Sequence, residues 1–214
     1  MDRDLVMDRD LGATRRSLHA VAEFVLAGPQ YAATGTIRLR VVPGGFATTA
    51  GPDLRVAGGS LVRPGPDLPM DGHTPRTLAG AVGVEPRALG EVFADGAAVG
   101  MDDELDVDEV DARVLLDALA LGDAGLRAFA PETEPVLWPE HFDVAVTVDE
   151  VNYGVSHGDA YLAVPYAYVG PWAPPPATDE FWSAPFGSVR AMSDLADPEA
   201  VRAYFAEGRD RLGR

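Results

Sequence analysis

Two short stretches of this 214-residue chain hold the side chains best suited to chemistry. Glu140-His141-Phe142-Asp143 and His157-Gly158-Asp159 place two of the four histidines beside three carboxylates. That is the donor set of a divalent metal site or of an acid/base pair, so a divalent metal is the one cofactor the sequence would accommodate. Between them, Gly154-Val155-Ser156-His157-Gly158 matches the G-x-S-x-G pattern of a hydrolase nucleophile. The pattern needs a helix after the serine and a triad histidine later in the chain. Residues 161–169 read as a strand instead, and no histidine follows His157. A glycine-rich chain produces such a match by chance.

The elements around these residues decide which of them can meet. Phe142–Val148 and Val151–Val155 alternate as a hairpin, with Asp149-Glu150 as a two-residue turn. In that register Val148 opposes Val151, Asn152 opposes Thr147, Asp143 opposes Ser156 and Phe142 opposes His157. His157 then shares the apolar face while His141 and Asp143 share the polar one, so a four-member cluster requires a three-residue loop or a bulge, for which Gly154 or Gly158 is the natural place. Residues 161–169 form the next strand, and Pro174-Pro175-Pro176 forbids regular pairing in the loop that follows. Ten of the 17 aromatic residues fall between Trp138 and Phe186. Tyr166 and Tyr168 share strand parity and suit a core, whereas Trp172 and Trp182 beside the proline loop suit the wall of a cleft for a carbohydrate or small apolar ligand.

Earlier in the chain, Leu18, Val21, Ala22, Val25 and Leu26 recur at helical spacing, with Thr14 as N-cap and Gly28-Pro29 as the stop. His19 lies on this helix as a surface or boundary residue. Residues 36–42 read as a strand whose alternation exposes Arg38 and Arg40, two anchors for an anion or for the acid run; 54–56 and 60–63 form strands about Gly58-Gly59. Residues 64–72 are a Pro/Gly-rich loop, and Thr74-Pro75 opens a short helix with His73 in the loop before it. Between Arg87 and Arg113 there are nine acids and no base. The alternate acids from Asp102 to Asp108 resemble a calcium loop, but Val107 and Arg113 stand where that loop needs Gly and Glu. Acids gathered ahead of a helix N-terminus explain the run better, and a helix follows to Phe129, interrupted near Gly122 and Gly125. Asp197-Pro198-Glu199 opens a terminal helix to Arg211.

Composition narrows the chemistry further. All 17 basic residues are arginine against 34 acids, the net charge is −17, and there is no cysteine. These facts remove lysine and cysteine nucleophiles, a Walker-A lysine, disulfides and thiolate metal sites, and they argue against nucleic acid as a partner. No apolar run is long enough to span a bilayer and no secretory h-region is visible, so a soluble, cytoplasmic protein is expected, without a membrane partner. Strands in two runs separated by helices predict an α+β fold with a mainly antiparallel sheet and N-terminal, central and C-terminal helices. Residues 1–13, which contain a repeated Met-Asp-Arg-Asp-Leu, read as a flexible leader, and 14–214 as one domain with a possible internal boundary near 64–72.

The phrases Pro43-Gly-Gly-Phe46, Leu137-Trp-Pro-Glu-His-Phe-Asp143, Asn152-Tyr-Gly154 and Tyr168-Val-Gly-Pro-Trp172 resemble those of uncharacterised soluble proteins from GC-rich bacteria, a resemblance that implies no activity. The expected function is binding of a small molecule in an aromatic-lined pocket. Its polar end would hold Glu140, His141 and Asp143, which would also be the catalytic set of an enzyme. Its binding walls would come from Trp138, Tyr153, Ser156, His157, Asp159, Trp172 and Trp182. The alternatives are a metal-assisted or acid/base hydrolase using His141 and Asp143, and an acidic module for a basic protein partner.

Overall fold

The computed structural model describes residues 10–94, 96–175 and 179–214. Residues 1–9 of the expected leader, Asp95 of the acid run and Pro176 of the triple proline lie outside the described residues. The fold is α+β: among the described residues four helices accompany ten strands, and every strand pairing is antiparallel. No described helix is long and apolar enough to cross a membrane. The described residues divide into two compact units, one made of residues 10–117 with Leu137–Phe142, the other of Ala118–Val136 and Asp143–Arg214.

In the N-terminal unit, α1 runs as an α-helix over Gly12–Ala20, widens to a π-helix over Val21–Ala27 and resumes as an α-helix over Gly28–Thr34. Two expectations are corrected here. Thr14 is inside the helix, where its hydroxyl accepts from the Asp108 amide at 3.0 Å, and Gly28-Pro29 does not end it. Proline breaks a helix because it lacks an N–H and crowds the preceding turn; here it falls where the wide π turn gives way to a fresh α-helical start, and Gly35 in the left-handed region closes the helix instead. Leu18, Val21, Val25 and Leu26 are fully buried, with α1 packed on strands β1 (Leu39–Val42) and β2 (Gly45–Thr48). Strands β3 (Arg55–Ala57), β4 (Ser60–Val62) and the two-residue β5 (Leu68–Pro69) continue that sheet, and β6 (Val136–Trp138) flanks β1 through Leu39 and Leu137. Helix α2 (Pro75–Ala81) carries the expected Thr74 cap, with Thr77 completing a capping box. Asp108 caps α3 (Glu109–Phe129), its Oδ1 accepting from the amides of Val110 and Asp111.

In the C-terminal unit, β7 (Asp143–Val148), β8 (Val151–Ser156), β9 (Tyr166–Pro171) and β10 (Ser188–Ala191) pair in sequence order, and α4 (Pro198–Arg211) follows the Asp197 cap. The Asp149-Glu150 turn has both residues at positive φ, which sets the hairpin register read from the sequence. Val144, Val146, Tyr153, Val155 and Val169 face the helices. Gly122 does not interrupt α3: a Cβ there would lie 2.6 Å from Val155 Cγ2, and Gly125 meets Val201 in the same way. The two glycines let the helix approach sheet and α4, a packing role that composition alone cannot distinguish from a break.

Candidate functional site

Because side chains alternate across a strand, the face of β7–β10 opposite the helices is fixed by the register. Its rows run across three strands: Asp143, Ser156 and Tyr166; then Ala145, Gly154 and Tyr168; then Thr147, Asn152 and Gly170. Successive rows are about 7 Å apart. The first row is buried, while Thr147 is exposed and Asn152 and Gly170 are half-buried.

Gly154 makes room for the Tyr168 ring, which lies where a Cβ would come 2.5 Å from the hydroxyl oxygen and 2.6 Å from Cζ. The Tyr168 hydroxyl thereby reaches across β8 to β7 and donates to Asp143 Oδ2. Tyr166 Oη donates to Asp159 Oδ2 at 2.6 Å, while Asp159 Oδ1 accepts from the amides of Tyr161 and Leu162 and ties the loop after β8 to β9. Burial pushes both tyrosine hydroxyls above their ordinary range, and the Asp143 charge acts in the same direction on Tyr168 as the hydrogen bond to Asp159 does on Tyr166. Both phenols therefore stay protonated as donors at physiological pH.

At the open end, Thr147 Oγ1 and Trp172 Nε1 both donate to Asn152 Oδ1, at 2.8 and 3.3 Å. An indole N–H can only donate, so this contact fixes which end of the amide faces it and leaves the Asn152 NH2 group without a protein acceptor among the described residues. Trp172 is 66% exposed, the most exposed large apolar side chain of the described residues. Tyr161 and Phe186, also exposed, form an edge-to-face pair with centroids 5.3 Å apart.

Glu140 and His141 belong to the N-terminal unit, in an exposed turn where His141 Nε2 is 3.6 Å from Glu140 Oε1. Trp138, half-buried, sits under the Arg38 guanidinium at 5.8 Å. Tyr153 is fully buried between Phe129 and Phe205 on the helix side, where burial pushes its hydroxyl up to about 12. Trp182 is buried against Phe181, and His157 is buried directly after β8. Ser156 ends a strand with a loop after it, and its Oγ accepts from the Gly158 amide at 3.1 Å. Among the described residues no three His, Asp or Glu side chains converge as metal ligands would. Within the acid run, Asp102 pairs with Arg76, Asp103 accepts from the Gly100 amide and Asp108 caps α3.

Sequence reasoning thus paired Asp143 with Ser156 and Thr147 with Asn152, but missed the Tyr168–Asp143 and Tyr166–Asp159 bonds. The available signal was Gly154, a glycine within a strand, which marks a close approach by another group. No family model, curated protein or solved structure matches the chain.

Proposed function

We propose that the protein binds a small neutral saccharide on the outer face of β7–β9, with Trp172 as the stacking platform and Asn152 and Thr147 as the polar groups. The observation that carries this reading is the anchored indole. Trp172 keeps an open aromatic face while its N–H holds Asn152 so that the amide NH2 remains available as a donor. A pyranose offers an apolar C–H face for stacking and hydroxyls that both donate and accept, which matches such a surface better than a wholly apolar ligand would.

Calorimetric titration with glucose, galactose, mannose, N-acetylglucosamine, maltose and cellobiose tests the reading. At least one should bind. Trp172→Ala should weaken it by about tenfold or more, and Asn152→Asp, which keeps an acceptor for the indole but removes the amide donors, should weaken it similarly. Absence of binding across the panel, or binding indifferent to Trp172→Ala, would overturn it.

A further inference from the structure

A second site is carried by different residues, in the N-terminal unit. A cleft of about 450 Å³ opens between the first two turns of α3 and two strand turns, lined by Glu109, Arg113, Asp117, Gly44, Gly58 and Ser60 among others. The two turns are tied together by Gly58 N–H donating to Gly44 O at 2.8 Å. Both glycines have positive φ, and no atom lies within 4 Å of where a Cβ would stand on either. That wall is therefore backbone with open space above it.

The charges facing it are unusual for this protein. Glu109, Arg113 and Asp117 follow one another at i, i+4 and i+8 on α3, the spacing at which opposite charges close onto each other. Elsewhere such pairs do close: Arg87 with Glu91, Asp123 with Arg127 at 2.8 Å, and Glu207 with Arg211 at 2.8 Å. Arg113 has a carboxylate one turn away on either side, yet among the described residues none of the three makes an ion pair or hydrogen bond. An arginine left open on a chain of net charge −17 is poised for an external carboxylate, which its planar fork matches bidentately. The flanking acids would repel a simple anion and attract an ammonium group.

We infer that this cleft binds a free α-amino acid, with the carboxylate on Arg113, the ammonium on Glu109 or Asp117, and the rest of the ligand over the Gly44 and Gly58 turns. The full chain, 15N-labelled, is titrated with alanine, serine, leucine and glutamine, and with the deaminated acid and decarboxylated amine matched to each. At least one amino acid should shift the amide resonances of Gly44, Gly58, Gly59 and Ser60. Its matched acid and amine should each bind about tenfold to a hundredfold more weakly, the cost of one lost charge-assisted contact. Arg113→Gln, an exposed substitution on a helix surface, should abolish the shifts while the remaining spectrum stays in place. Silence of those amides toward all four amino acids, equal binding by a matched acid, or shifts unchanged in Arg113→Gln would each overturn the assignment.

Discussion

Tyr168 shows how one side chain sets the chemistry of a surface. Its hydroxyl supplies the buried Asp143 carboxylate with a donor, and its ring fills the space above Gly154. Tyr168→Phe should therefore cost about 1–3 kcal/mol in a urea melt, the penalty of removing a donor from a buried charged acceptor. Gly154→Ala should cost a comparable amount, about 1–3 kcal/mol, because the new methyl must displace the ring. His19 makes a separate case. Its ring stacks on Phe142 at 5.6 Å and Nε2 donates to Pro139 O at 2.7 Å; burial holds it below its ordinary value of 6.5, the hydrogen bond opposing. The native state resists a proton that the unfolded chain accepts, so the stability linked to His19 is complete above pH 6.5 and is lost progressively as pH falls below it. Melts across that range should show a shallower acid slope for His19→Gln than for the parent; parallel slopes would contradict the assignment.

Helix α3 illustrates the balance between propensity and packing. Alanine in place of Gly122 gains up to about 1 kcal/mol in helix propensity, but its Cβ would stand 2.6 Å from Val155 Cγ2, and overpacking costs about 1–3 kcal/mol. Packing wins, so Gly122→Ala should lower the thermal midpoint, whereas the same change at Gly80, with open space around it, should not. The same contrast marks the reach of the sequence. Caps at Thr74 and Asp197, the two-residue Asp149-Glu150 turn and the β7–β8 register depend on neighbours in the chain and were legible there. The passage of α1 through Pro29 depends on a π-helical turn that hydrophobic spacing does not encode. At the candidate site Asp143 and Ser156 were within reach of the register. Tyr168 was not, because its partner lies two strands away across the sheet.

For the whole molecule, the charge of −17 separates the possible ligands. A neutral saccharide is indifferent to that field, so its dissociation constant should change by less than about twofold when salt is raised well past the physiological range. A strongly salt-dependent affinity would point to a charged ligand instead. The most direct test of saccharide binding is the indole N–H resonance of Trp172, followed in a 15N-labelled full chain as the saccharides are added. The account requires that resonance to move together with the amides of Asn152 and Gly170, while the indole signal of the buried Trp182 stays fixed. A saccharide that binds with the Trp172 indole unmoved, or a Trp172 resonance unmoved by every sugar, would contradict it.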